Sequence, residues 1–333
     1  MRPIFLMAHK NDFARRLVEQ GAEGGGDFLP LAESFRARCS TSLGLSGIAQ
    51  WFPASLSRLD LVLKFEPGCD LDESLTAACK RVQEHCVALQ KFSLWMDVTL
   101  LRTRCDTICA LAGVLRCRTL RDVSIPLGLF TDSISATLGD LPNLHTLRLK
   151  ARTRRLESRP SFSLLGANLE HKPGQYPALR RLRVRGSLEE ATKVVRHLAA
   201  PDLQQIWVDV ASLSYKDEIH DFTCTVAERC PSLRDFSVNV ASLHPAETPA
   251  WVNLEALLAF AHLQFLAIGH PLPLPLTERM QRDWPRMDAS VNLFSMSRKS
   301  GESWVLEIVE RDGASASVPL ASNEPLRATG PGA

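Results

Sequence analysis

A short apolar signature recurs along this chain: an apolar residue, two intervening positions, a second apolar residue, one intervening position, and a third. It occurs at Leu56-Ser-Arg-Leu59-Asp-Leu61, Leu89-Gln-Lys-Phe92-Ser-Leu94, Leu120-Arg-Asp-Val123-Ser-Ile125 and Leu144-His-Thr-Leu147-Arg-Leu149. It returns at Leu179-Arg-Arg-Leu182-Arg-Val184, Leu203-Gln-Gln-Ile206-Trp-Val208, Leu233-Arg-Asp-Phe236-Ser-Val238 and Leu263-Gln-Phe-Leu266-Ala-Ile268. A ninth stretch, Met287 to Leu293, is off register. Within each signature apolar and polar positions alternate at the end, as in a strand with one face buried.

The first positions lie 24 to 35 residues apart, with a mean of about 29. Between signatures the apolar period lengthens to that of a helix. Leu75, Ala78, Cys79, Val82 and Cys86 form one stripe, and Cys105, Ile108, Cys109, Ala112 and Leu115 a second. Leu188, Ala191, Thr192, Val195 and Leu198 form a third, and Ile219, Phe222, Thr223, Val226, Ala227 and Cys230 a fourth. Each marks the buried face of an amphipathic helix. Ser187-Leu-Glu-Glu190 reads as a capping box that starts one of them. One strand and one helix per repeat predict an α/β leucine-rich-repeat solenoid. It would be a horseshoe with a parallel sheet on the concave side and helices on the convex side. The position three residues past the last apolar one is Arg152 in one repeat and Ser187 in the next. A backbone-bonding Asn is missing there, which predicts an irregular arc.

Cys230-Pro-Ser-Leu233, continuing to Phe236 and Val238, resembles the opening of a cysteine-containing leucine-rich repeat. Leu141-Pro-Asn-Leu144, Tyr176-Pro-Ala-Leu179 and Trp284-Pro-Arg-Met287 are variants of it. Together they are similar to the repeat region of the mushroom-type fungal F-box/leucine-rich-repeat family, over roughly residues 50–295. The resemblance implies a receptor that captures a substrate protein for a ubiquitin ligase. In that family an F-box precedes the repeats and docks the ligase adaptor. Here Leu29-Pro30-Leu31-Ala32-Glu33 is the nearest match, and only about 25 residues separate it from the first signature. No F-box is recognisable, so the chain is expected not to bind the adaptor.

The predicted organisation is an N-terminal flank or cap at 1–50, partly flexible around Gly24-Gly25-Gly26, and the solenoid at 51–296. In the flank a short helix precedes the glycines. A closing strand or hairpin follows at 297–312, with a disordered Ala/Ser/Pro/Gly-rich tail at 313–333. No signal peptide and no run of about 18 apolar residues occurs, so the expected location is cytoplasmic or nuclear, not secreted and not in a membrane.

Nine cysteines are an odd number, and in this setting are expected to be reduced. Cys79, Cys86, Cys105, Cys109 and Cys230 fall on the apolar stripes and read as small core residues rather than metal ligands. His197, His220 and His262 read as surface or helix-end positions without a thiol or carboxylate partner. Phosphate-loop, dinucleotide, nucleophile-elbow and zinc-protease motifs are absent, so no enzyme, metal or cofactor is expected.

The net charge of +2 is too small for binding nucleic acid by bulk charge. It is unevenly spread: residues 145–196 hold 13 Lys+Arg against four acids. Side chains that alternate with the apolar strand positions would line the concave face. These include Trp95, Arg148, Lys150, Arg152, Arg183, Arg185, Trp207 and Asp209, the predicted partner-binding residues. Arg and Trp are enriched at interface hot spots. The function expected is a non-catalytic protein–protein interaction module whose partner has an acidic surface. The alternative is a nucleic-acid-binding solenoid using the basic patch in 145–196. Against it stands a shortage of stacking aromatics there, where only Phe162 and Tyr176 occur.

Overall fold

A computed structural model describes residues 4–8, 33–50, 52–64, 71–96, 105–151, 176–198, 200–210, 218–240, 256, 260, 262–263, 265–268 and 292–294. The elements in order are β1 (Ile4–Ala8), β2 (Ser34–Cys39), α1 (Ser42–Ala49), β3 (Arg58–Leu63), α2 (Asp72–His85), β4 (Lys91–Trp95) and α3 (Cys105–Leu115). Then follow β5 (Asp122–Pro126), α4 (Asp132–Gly139), β6 (Thr146–Lys150), β7 (Arg181–Gly186), α5 (Leu188–His197) and β8 (Gln205–Val210). α6 (Glu218–Arg229), β9 (Asp235–Val240), β10 (Phe265–Ile268) and β11 (Asn292–Phe294) complete the series.

The strands form one open sheet in chain order, β1 to β11, and every neighbouring pair is parallel. Two parallel neighbours cannot be joined by a tight turn, so each connection must cross back over the sheet, and a helix is the usual means. The α/β class and the single parallel sheet with helices alongside thus agree with the sequence. Register is set by the apolar columns: Phe35, Leu59, Phe92, Val123, Leu147, Leu182, Ile206 and Phe236 are paired in turn. All eight are buried and share one core with the helix residues Leu75, Cys79, Val82, Ile134, Val195 and Phe222. A slip of one residue would turn every strand's apolar set to the opposite face.

The two intervening positions of the signature have their own role. The Ser57 carbonyl accepts from the N–H groups of Gln90 (2.7 Å) and Lys91 (2.9 Å), and the Gln90 carbonyl from Arg121 and Asp122. Arg121 accepts from His145 and Thr146, His145 from Arg180 and Arg181, Arg180 from Gln204 and Gln205, and Gln204 from Arg234 and Asp235. This doubled ladder satisfies the backbone where each strand begins, without an Asn side chain.

Three expectations are corrected. In the segment read as a flank at 1–50, β1 and β2 add two paired strands to the sheet, at Ile4–Ala8 and Ser34–Cys39. The ninth stretch is off register, as its sequence suggests: Leu293 pairs with Leu266. On α3 the stripe holds at Ala112 and Leu115, but Cys109 is exposed, and Thr107, Ala110, Leu111 and Val114 widen the buried face. α3 is apolar nearly all round, so it has no polar face to fix its phase. His197 is buried rather than at the surface. The glycine-rich linker, the hairpin at 297–312 and the tail at 313–333 lie outside the described residues.

His197 belongs to a polar cluster inside the core. Ser135 Oγ lies 2.6 Å from His197 Nε2 and 2.6 Å from the Tyr176 hydroxyl. That hydroxyl also donates to the Ser135 carbonyl at 2.8 Å. Tyr176 has φ 63°, in the left-handed region, which costs a non-glycine residue about 1–2 kcal/mol. The hydrogen bonds and full burial of the ring offset that cost. Burial pushes the phenol well above its ordinary pKa, so it stays a neutral donor. α5 starts with the capping box read from sequence: Ser187 Oγ accepts from Glu190 N at 3.1 Å, and Glu190 Oε2 accepts from Ser187 N at 2.9 Å. Tyr176→Phe is expected to destabilise the fold by about 1–3 kcal/mol, because it leaves buried Ser135 groups unsatisfied. Ser187→Ala should cost about 1 kcal/mol. Urea denaturation of both variants checks these values.

Candidate functional site

Strand side chains that alternate with the core columns form rows across the opposite face of the sheet. One row runs Arg36, Asp60, Ser93, Ser124, Arg148, Arg183, Trp207 and Ser237, each paired with the next. A second contains Pro126, Lys150, Arg185, Asp209 and Asn239 on β5 to β9. Six predicted residues are thus brought together on three adjacent strands: Arg148 and Lys150 on β6, Arg183 and Arg185 on β7, Trp207 and Asp209 on β8. Trp95 stands apart on β4, with β5 between it and the cluster, and Lys64 Nζ lies 5.8 Å from its ring centroid. Arg152 lies outside the described residues.

Arg183 is already engaged. Its Nε (3.1 Å) and Nη2 (2.6 Å) both donate to Asp209 Oδ2, and its guanidinium lies 5.9 Å from the Trp207 ring centroid. The pair is solvent-exposed, so it adds at most about 1 kcal/mol to stability. Its main effect is geometric: it holds Arg183 beside a tryptophan that remains 43% exposed. Arg36 and Asp60 make a similar pair at 3.1 Å at the other end of the row. The expectation that every polar strand side chain is open fails at β5, where Ser124 is only 3% exposed and Pro126 is buried.

The charge density is visible at Lys150. Partial burial, then the neighbouring Arg148 and Arg183, push its pKa below the ordinary lysine value, with Arg185 adding to them; Asp60 opposes the shift. The folded protein therefore binds fewer protons than the unfolded chain between the two pKa values. Its stability contribution rises as pH increases through that window. An anion placed beside Lys150 would reverse the shift.

Cysteine chemistry lies elsewhere. Burial raises the Cys39, Cys79, Cys86 and Cys230 thiols to about 12, so they carry almost no thiolate at neutral pH. His220, read as lacking a thiol partner, lies beside Cys224, with Nε2 3.5 Å from Sγ. Among the described residues no group of three or more His, Cys, Asp or Glu converges as metal ligands would, and no helix is long and apolar enough to cross a membrane.

Sequence reasoning overlooked the polar pair inside each signature. Arg58, Lys91, Asp122, Thr146, Arg181, Gln205 and Asp235 form a third row where the strands begin. The signal was present, since seven of the eight regular signatures carry two polar residues there.

Two measurements follow. In the methylated protein, NMR titration should give Lys150 a pKa below that of exposed lysines, and Asp60→Asn should lower it further. Iodoacetamide at pH 8 should modify Cys109 in the folded protein while Cys79 and Cys230 react only after unfolding, read by mass spectrometry. No protein-family model matches the chain, and no curated protein matches it.

Proposed function

We propose that the chain is a leucine-rich-repeat solenoid acting as a non-catalytic protein-interaction module. Its sheet face is the concave binding surface and takes a protein with an acidic surface. The observation that carries this reading is the adjacent set Arg148, Lys150, Arg183, Arg185 and Trp207 on β6 to β8. It combines concentrated positive charge with an exposed aromatic ring. Strands lie ~4.8 Å apart, so these side chains act on one partner patch rather than singly. Arginine offers forked donors to carboxylates, and the indole supplies apolar contact area. Asp209 orients Arg183 and would hand over part of its bonding to an incoming carboxylate.

The resemblance to F-box receptor repeats supports a substrate-capturing role. Residues 33–50 form β2 and α1 and continue the sheet, which supports the expectation that this segment does not dock a ligase adaptor. The nucleic-acid alternative is weaker. Arg183 is partly neutralised by Asp209, and Trp207 carries the only exposed ring among the described residues of β6 to β8.

The test places a photo-crosslinking amino acid at Ser237 on the face and, separately, at Lys193 on α5. Partner crosslinks are expected from the first position and not the second. With the captured partner in hand, Arg183→Glu with Arg185→Glu should weaken binding at least about tenfold, largely through slower association. Unchanged affinity, or crosslinks only from the helical side, would overturn the assignment.

A further inference from the structure

We propose that the edge of the sheet where the strands begin is a second binding groove, built for an extended acidic peptide segment of a protein partner. This needs neither the curvature of the solenoid nor the Arg183–Trp207 cluster. The groove encloses roughly 450 Å³ and crosses β3 to β7. Five cationic side chains line it, Arg58, Lys91, Arg121, Arg180 and Arg181, against one carboxylate, Asp122. Arg180 is countered by Asp202, 3.3 Å away, and Arg181 is partly balanced by Asp235, which leaves Arg58, Lys91 and Arg121 as the main cations for a ligand to meet. Arg58, Arg121 and Arg181 are exposed.

The floor is rigid. It consists of the doubled backbone ladder, in which each carbonyl at the strand start accepts two N–H groups from the next strand. A ligand would not have to order this backbone, which removes one of the main costs of binding. From β3 to β7 is four strand spacings, about 19 Å, the length of about six residues of extended chain.

The lining favours peptide over nucleic acid. No phenylalanine, tyrosine or tryptophan is present to stack a base. Asp122 would oppose an evenly spaced run of phosphates, whereas a peptide can present a backbone N–H or a neutral side chain there. Gln90 and Gln204 supply amide groups that both donate and accept, as peptide bonds require.

The decisive experiment titrates the full chain against fluorescein-labelled hexaglutamate by anisotropy, with hexaglutamine and a thymidine oligonucleotide of six phosphates in parallel. Hexaglutamate should bind, hexaglutamine should not, and the oligonucleotide should bind more weakly. Arg58→Glu with Arg121→Glu should weaken hexaglutamate at least tenfold. Arg183→Glu with Arg185→Glu, on the sheet face, should change it less than threefold. Should the reversal variant fail to fold, Arg58→Gln with Arg121→Gln keeps polar side chains, and should still weaken binding at least threefold. Absence of hexaglutamate binding overturns the groove. Equal losses in the two reversal variants would mean diffuse attraction by the whole cationic surface, and also overturn it. Tighter binding of the oligonucleotide overturns the peptide assignment. Loss of the captured partner only in the Arg183/Arg185 variant, with hexaglutamate binding intact, leaves the two sites separate.

Discussion

Parallel pairing between consecutive strands is the constraint on which the rest of this structure depends. Among the described residues, each strand in this sheet pairs only with the strands before and after it in the chain. Its backbone groups, its apolar column and its outward side chains are therefore all fixed by the same register. The doubled ladder at Ser57, Gln90, Arg121, His145, Arg180 and Gln204 sets where each strand begins. Once that start is fixed, the alternation of side chains decides which residues meet the helices and which line the opposite face.

Burial and charge are divided between the two sides. Columns such as Leu59, Phe92, Val123 and Leu147 are almost fully withdrawn from water, and truncating one of them would cost about 2–5 kcal/mol. The outward rows contribute little to folding. Their ion pairs, Arg36–Asp60 and Arg183–Asp209, are exposed. Charge is therefore free to concentrate on β6 and β7 with only local consequences, such as the lowered pKa of Lys150. The buried Tyr176–Ser135–His197 cluster lies on the other side of this division. It closes the core where the chain re-enters the sheet at β7, and the Ser135 and Tyr176 hydroxyls and His197 Nε2 bond to one another there.

Much of the fold was legible because period carries it. The eight regular signatures, from Leu56 to Ile268, coincide with β3 to β10, and the capping box at Ser187 starts α5. The outward positions of β6 to β8 could be named in advance for the same reason. Where the period is weak the reading failed. β1 and β2 were read as a flank, although Phe35, Ala37 and Cys39 alternate with polar residues. α3 lacks a polar face, so the stripe reading holds at Ala112 and Leu115 but fails at Cys109, which is exposed.

Sequence alone determined the repeat, the parallel α/β class and the enrichment of positive charge between residues 145 and 196, because these depend on spacing and composition along one chain. Only the tertiary structure decided who meets whom across repeats. It gave Asp209 to Arg183, separated Trp95 from the arginines by one strand, and buried Ser124. It brought His197, from α5, onto Ser135 of α4, 62 residues away. It also gathered the polar pairs of β3 to β7 along one edge, where five cations and one carboxylate line a groove. The physical reason is common to all of these. Contacts between strands depend on register and on the length of each connection, and those 24- to 35-residue spacings vary too widely for a local pattern to fix them.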